Sequence, residues 1–540
     1  MRSVATTSLF AFGALAAANT TAYDYIVVGG GTAGIIVASR LAEAHANASV
    51  LLLERGGPSH YSSGGNITLP WNQTITPFDL PAYGYSIRQT TDPSTFCTDT
   101  ASNAGCILGG GGSVNAEIFV PPQEADFASW PEGWRWEDGV GEAAAALYER
   151  NPGTSLPSAD GRRYDYSVFD IFGSFLGKNG WKQVDAIAEP NEKHQVYAYP
   201  PWNIQNSRRA GPVMTYLPIA QTLPNFTLRL HTKAIRIVRT GGTATGVEVE
   251  SPSGARSIVA LSASGKVVLA AGAMSTPRVL FNSGIGPLSQ LAIVANGTTG
   301  VALPPRADWI ELPGVGVGVK DHPIFYVNLN LTSPAANVSV YDPLAPSEGD
   351  VALYNGAGAG PLAQGMQRLN LWTSRTNAST GEKRFFQGTV NAEAANTIQL
   401  KVYMTHGLTS EGVLEITPDG KTNFTTGPWM RTEGDRGAVI AFLDELLALV
   451  RTSDAWVPTD WMSGKEVSSA SDLLASYTAG AHFVRTARLG EVVDPRDARV
   501  YGTQNVFVAD ASIHFDLPTG NTNAMVMVVA EHAARKIAAC

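Results

Sequence analysis

Gly29, Gly31 and Gly34 form a Gly-x-Gly-x-x-Gly turn, and the chemistry such a turn serves is the cradling of a pyrophosphate. The first glycine permits the tight turn and the second lets a phosphate approach the backbone. The third lets the following helix pack closely on the preceding strand. Thr32 and Ala33 open that helix, where free N–H groups and the helix dipole meet negative charge. Glu54 follows by about 20 residues, the distance at which a carboxylate accepts hydrogen bonds from a ribose. These residues call for a bound dinucleotide without distinguishing one dinucleotide from another. For proton transfer the chain offers nine histidines, whose ordinary pKa near 6.5 suits a general base at neutral pH. Taken singly, each is as readily a core residue. The three cysteines, Cys97, Cys106 and Cys540, do not make a zinc ligand set, so no metal site is expected.

The elements around the turn agree with this reading. Tyr25 to Val28 is a short β-branched run that reads as a buried strand, and Ile35 to Ala44 has helical periodicity. Ser49 to Glu54 reads as a second buried strand ending in the acid. Strand, glycine turn, helix and strand make a βαβ unit. Further strands are expected over Thr227 to Val238, Thr245 to Glu250 and Lys266 to Ala271, then a helix over Thr276 to Asn282. Between about Val301 and Asp460 the pattern reads as alternating strands and polar loops with no second nucleotide turn. Asn505 to Asp510 and Thr522 to Ile537 return to strand and helix. The fold class is therefore mixed α/β: a Rossmann-like domain assembled from separated segments, with a sheet-rich substrate domain inserted. The expected division is 23–295 for the nucleotide region, 296–489 for the substrate region and 490–540 for a segment that returns to complete the site.

A chain of 540 residues is too long for one ordinary core. Its net charge of −9, with no basic run, argues against nucleic acid or an anionic membrane as partner. Residues 1–18 read as a secretory signal peptide, with Arg2, an apolar stretch and a small-residue end at Ala16 to Ala18. That stretch is too short to span a bilayer, and an extracellular location without a membrane anchor is expected. Asn-x-Ser/Thr sequons at Asn19, Asn47, Asn66, Asn72, Asn225, Asn296, Asn330, Asn337, Asn377 and Asn423 accord with export and glycosylation. In an oxidising compartment Cys97 and Cys106 can close a small loop, leaving Cys540 unpaired.

Three more stretches resemble the glucose-methanol-choline (GMC) oxidoreductase family. They are Gly109 to Asn115, a glycine-rich loop; Ala271 to Pro277 continuing to Pro287; and Leu312 to Gly316 ending at Asp321-His322-Pro323. The resemblance runs from Tyr23 to Ile537 and implies FAD as cofactor. Within the family the chain is similar to the flavin domain of cellobiose dehydrogenase, through Phe96-Cys97, Gly105-Cys106, Arg209 to Val213 and Leu517 to Asn521. With the flavin fold starting at Tyr23, no preceding cytochrome domain is expected. Some family members bond FAD through a histidine just before the signature asparagine. Val114 stands at that place, so the resemblance implies non-covalent FAD. It further assigns Gly110, Ser113, Asn115, Ile235, Asp510, Ala511, Thr522 and Asn523 to cofactor binding.

The resemblance also selects the base. His482, in Gly480 to Val484, would take the hydroxyl proton while hydride passes to flavin N5, and Asn521 would orient the hydroxyl. Asparagine cannot be the base, but its amide donates and accepts at once. His322 is expected to be structural, His532 to lie far from the site, and His514 to stand as a second-rank pocket residue. Trp130, Trp134 and Trp136 are read as packed, with stacking on a sugar or aryl ring as the alternative. Ala481, Phe483 and Arg485 around the base, and Phe515-Asp516 before Leu517, depart from the cellobiose dehydrogenase pattern, so cellobiose is not the expected substrate. The implied activity is oxidation of a CH–OH group in a small alcohol, sugar or aryl alcohol, with an external electron acceptor such as O₂ or a quinone. The alternatives are an oxidase of one dedicated secondary metabolite and an FAD-containing hydroxynitrile lyase-like enzyme.

Overall fold

The computed structural model describes residues 22–333, 338–377 and 381–540; the signal-peptide expectation and the sequons at Asn19 and Asn337 fall outside them. Tyr23–Val28 is the central strand of a parallel set, paired on one side with Val50–Leu53 and on the other with the end of Arg256–Leu269. Phe226–Arg229 extends the set beyond Val50–Leu53, and Val506–Val508 extends it beyond Arg256–Leu269. The strand Arg256–Leu269 does double duty. Its first half pairs antiparallel with Thr243–Glu250, which pairs in turn with Lys233–Thr240. Helix Thr32–Ala44 packs on this sheet beside the final helix Thr522–Ala538. Strands buried on both faces read as continuous apolar runs, and Ile26, Val27, Leu51, Leu52, Val267, Val268 and Phe507 are all buried in one core with Ile35, Met525 and Val529.

A second, mostly antiparallel sheet carries the other half of the molecule. Its order is Trp456–Asp460, Pro323–Leu331, Thr397–Met404, Lys383–Ala394, Leu369–Thr376, Val196–Ala198 and Lys182–Gln183, with Thr478–Ala479 on the edge. Alternation along these strands sends Phe325, Val327, Leu329, Leu371, Phe386, Leu400 and Val402 into an apolar core. Helix Glu433–Val450 covers that core with Val439, Phe442, Leu443, Leu446, Leu447 and Val450. The intervening residues Trp372, Gln387, Thr389 and Tyr403 belong to the opposite face.

Two expectations differ from what is found. The stretch from Val301 to Asp460 contains two helices, Glu348–Ala357 and Glu433–Val450, that were expected as strands and loops. Residue 295 also fails to separate the packed units. Lys182–Gln183 and Val196–Ala198 join the second sheet, while Val315, Ile416, Leu489 and Val492 pack in the first core. The chain crosses between the two units several times, and boundaries drawn as single cuts cannot follow it.

Candidate active site

One cavity of about 580 Å³ lies between the two sheets, lined by the glycine turn at one end and by His482 and Asn521 at the other. Its nucleotide end is built by close backbone approaches. Gly29 has φ +106°, and a Cβ on Gly34 would stand 1.8 Å from the Gly29 carbonyl oxygen. Gly34 therefore packs helix against strand and does not line the cavity, whereas Gly29, Gly31, Thr32 and Ala33 do. The second glycine loop lies directly on the first, with the Gly109 N–H donating to the Gly30 carbonyl at 2.7 Å. Glu54 is buried and accepts from the Gly30 and Gly56 N–H groups at 2.8 and 2.7 Å, while burial raises its pKa.

The remaining cofactor candidates divide by position. Gly110, Asn115, Asp510, Ala511, Thr522 and Asn523 line the cavity. Asp510 also organises its wall, accepting from the Gly272 N–H at 2.7 Å and the Thr276 hydroxyl at 2.6 Å. Asn115 Oδ1 accepts from Arg209 Nη1 at 3.0 Å and the Glu117 N–H at 2.9 Å, which leaves its Nδ2 as the donor end. Ser113 is buried behind the loop, its hydroxyl donating to the Leu108 carbonyl at 2.8 Å, so its part is to shape the turn. Ile235 does not itself line the cavity and its carbonyl accepts from Asn282 at 3.0 Å, while its neighbours Thr232, Lys233 and Ala234 form that wall. The bulge in its strand pairing turns Ile235 aside.

These residues fit FAD. A Cβ at Gly111 or Gly272 would meet nothing within 4 Å, so both backbones face open space where a bulky group can lie. The uncapped N-terminus of helix Thr32–Ala44 offers its N–H groups to a pyrophosphate. Val114 lines the cavity beside Asn115 and supplies no nucleophile.

At the catalytic end, His482 Nε2 stands 3.4 Å from Asn521 Nδ2. Its backbone N–H donates to Asp321 Oδ1 at 2.7 Å, and Trp429 Nε1 donates to Asp321 Oδ2 at 2.9 Å. Asp321 is buried, which raises its pKa to about 6 against those donors. Ala481, just before His482, takes φ +56°, a conformation that L residues seldom adopt and that the surrounding contacts must hold. Burial lowers the His482 pKa to about 4, so the imidazole is neutral at physiological pH. Behind it, His482 Nδ1 lies 3.0 Å from His322 Nδ1. His322 is thus a direct neighbour of the His482 ring although it does not line the cavity. Burial holds it well below the usual histidine range.

Sequence reasoning missed the second sheet's contribution. Thr389 and Tyr403 line the catalytic end, and Gln387 Nε2 donates to Asn521 Oδ1 at 2.7 Å. No local motif marks these residues; only the strand alternation that sends them opposite the apolar core could have found them. His514 and His532 do not line the cavity: His514 packs on Trp130, and His532 Nε2 pairs with the Gly133 carbonyl at 2.7 Å. Trp130 and Trp134 are buried in the first core, with Trp136 packed against it.

His514 gives a stability test. Both its ring nitrogens are buried without a partner, and burial lowers its pKa to about 3. Unfolded histidine takes up a proton as pH falls through about 6.5, whereas His514 in the fold does not, so its contribution to stability falls with pH. The unfolding free energy of His514→Phe should rise relative to native as pH drops from 6.5 towards 4, by about 1.4 kcal/mol per pH unit at most, and denaturant titrations across that range measure it. A difference that stays constant over that range would contradict this account.

Cys97 and Cys106 are joined in a disulfide and Cys540 is free. Asp99, inside the closed loop, is held by Arg55, Lys233 and Arg278, each at 2.9 Å. These cations keep its carboxyl far below the usual range. Among the described residues, Cys97, Asp99 and Cys106 are the group with metal-ligand spacing, but the two sulfurs are bonded to each other and the carboxylate is taken by cations. Asn225 is one sequon whose Nδ2 is committed, donating to the Ala42, His45 and Ala48 carbonyls, so a glycan there, which takes the place of one of its two hydrogens, would disrupt this set. No helix among the described residues is long and apolar enough to cross a membrane.

Comparison with known proteins gives a consistent result. Family models described as GMC oxidoreductase match residues 23–324 and 409–530. An uncharacterised GMC-type oxidoreductase of Rhodococcus erythropolis is 33% identical over 58% of this chain and 61% of its own length. An oxygen-dependent choline dehydrogenase of Serratia proteamaculans is 26% identical over 95% of both chains. Among solved structures, formate oxidase superposes with a TM-score of 0.77 at 20% identity, covering 97% of this chain and 99% of that one. That likeness extends the shared fold to almost the whole of both chains.

Proposed function

The chain belongs to the GMC oxidoreductase family and is an FAD-dependent oxidoreductase, and we propose that it oxidises the CH–OH group of a small neutral alcohol. The observation that carries this reading is the 3.4 Å separation of His482 Nε2 and Asn521 Nδ2. At that spacing one hydroxyl oxygen can lie within hydrogen-bond reach of both. The hydroxyl donates to His482 Nε2, which takes the proton, and Asn521 Nδ2 donates to the oxygen as negative charge grows on it. Bound in the cavity, FAD supplies the hydride acceptor at N5. Thr32, Ala33, Glu54 and Asp510 would hold its pyrophosphate and ribose, and Asn115 would donate to the ring system.

Neutrality of the substrate follows from where the charges lie. The carboxylates lining the cavity, Glu54 and Asp510, are engaged by backbone N–H groups of the nucleotide loops. Of the lining cations, Arg55, Lys233 and Arg278 surround Asp99, and Arg88 lies over the Phe96 ring. Gln367, Thr389, Tyr403 and neutral His482 form the catalytic end, which offers neither a carboxylate to neutralise a quaternary ammonium nor a free cation to pair with a carboxylate. A neutral sugar, aryl alcohol or aliphatic alcohol fits this chemistry. Val114 supports a non-covalent cofactor. The apolar N-terminal stretch, the sequons and the Cys97–Cys106 disulfide support secretion of a glycosylated protein.

Anaerobic addition of substrate to the yellow holoenzyme tests the proposal. Neutral alcohols or sugars should bleach the flavin while choline and formate leave it oxidised, and acid precipitation should release all the yellow colour into the supernatant. Bleaching by choline would refute substrate neutrality. A cyanohydrin cleaved with no alcohol bleaching the flavin would replace oxidation with lyase chemistry. Comparing peroxide release with dye reduction on the best substrate identifies the acceptor.

A further inference from the structure

The base in its working form must carry its proton on Nδ1 and a lone pair on Nε2, yet nothing in an isolated imidazole enforces that choice. A directional chain of hydrogen bonds does so here. It begins at Trp372, whose indole N–H can only donate, and which reaches Gln387 Oε1 at 3.3 Å. That contact fixes which end of the Gln387 amide is oxygen. Gln387 Nε2 then donates to Asn521 Oδ1 at 2.7 Å, which fixes the Asn521 amide in turn. The Asn521 end facing His482 Nε2 at 3.4 Å is consequently the NH₂. A donor there is satisfied only if Nε2 holds a lone pair, and the ring proton is then on Nδ1, directed at His322 Nδ1, 3.0 Å away. His322 accepts on Nδ1 and carries its own proton on Nε2, a buried atom with no partner.

We propose that Trp372 and Gln387 are positioning residues that select the base-competent tautomer of His482, acting through Asn521, and that His322 is the terminal acceptor of the chain. The inference rests on the reading of His482 as the base. Neither Trp372 nor Gln387 lines the cavity, and both are buried, so their effect on the reaction passes through the orientation of Asn521. All donors point the same way, from Trp372 towards His322. Reversing any amide would set two donors or two acceptors face to face. When His482 takes up the substrate proton on Nε2, its Nδ1–H remains paired with His322, and the Asn521 NH₂ is released to the substrate oxygen.

Gln387→Glu is the sharpest test, because the new carboxylate accepts from both Trp372 and Asn521 and turns the Asn521 amide over. Asn521 Oδ1 then faces His482 Nε2 and favours a proton there. Flavin reduction in this holoenzyme should slow by about 10²-fold or more. In protein carrying ¹⁵N-histidine, His482 Nε2 should give an unprotonated ring-nitrogen signal in the native holoenzyme and a protonated one in the variant, with His482→Ala providing the assignment. Trp372→Phe, which keeps an aromatic ring but removes the donor, should slow reduction by about tenfold, and both signals should appear. A protonated Nε2 in the native holoenzyme overturns the proposal, as does native-rate reduction by Gln387→Glu. If His482→Ala itself reduces at the native rate, the base assignment fails instead, which separates the two errors.

Discussion

His482→Ala is expected to give a yellow, folded protein whose flavin is reduced by substrate at least about 10²-fold more slowly than in the native enzyme. The substitution removes the imidazole but keeps the backbone N–H that donates to Asp321, so the strained turn at Ala481 retains its anchor. FAD retention should be unchanged, since the nucleotide end of the cavity does not include this side chain. The pH profile separates a lost base from a distorted site. Only neutral imidazole accepts a proton, and burial depresses the His482 pKa to about 4. The native rate should therefore hold from neutrality down towards pH 4 and fall as the pH passes through that value. The variant should lose this acid limb. Stopped-flow reduction across pH 4 to 8 measures both quantities, and a variant with native rates would remove His482 from its role.

Gly34→Ala should have the largest effect on cofactor binding. The added Cβ would lie 1.8 Å from the Gly29 carbonyl oxygen and 3.2 Å from the Ala270 Cβ. The first contact is to backbone, so neither partner can rotate away. The helix must lift from the strand, carrying with it the N–H groups of Thr32 and Ala33 that line the cavity. Overpacking of this kind costs about 1–3 kcal/mol, and taken from FAD binding that is about five- to over a hundredfold in affinity. The variant should purify pale or colourless, and titration of its apoprotein with FAD should show the weakened binding. Native flavin content together with an unchanged melting temperature would mean that the helix can shift without disturbing the cradle.

The nucleotide half was legible because its requirements are local. Gly29, Gly31, Gly34 and Glu54 work through backbone geometry over one βαβ unit, and the strands and helix flanking them are found where the apolar pattern predicts. His482 and Asn521 carry no comparable local signature and entered through resemblance. Gln387, Thr389, Tyr403 and Trp372 were invisible for a different reason. Each is one polar or aromatic residue in an alternating strand, and its role appears only when register sets it opposite the apolar core. The helix Glu433–Val450 was legible and was misread. Thr432 caps it by accepting from the Asp435 N–H, and its apolar residues recur at helical spacing from Val439 to Val450. Gly434 and Gly437 interrupt the signal in its first turns.

The strand Arg256–Leu269 is flanked by Tyr23–Val28 and Val506–Val508. During synthesis the glycine turn emerges first, yet the sheet behind it lacks its last strand until nearly the whole chain has been made. At about 5–20 residues per second, that delay is roughly half a minute or more. The nascent nucleotide half thus leaves the ribosome with an open sheet edge beside Val267 and Val268 and without the final helix over its apolar face. A chain stopped short of Val506 would have neither a closed cradle nor Asn521.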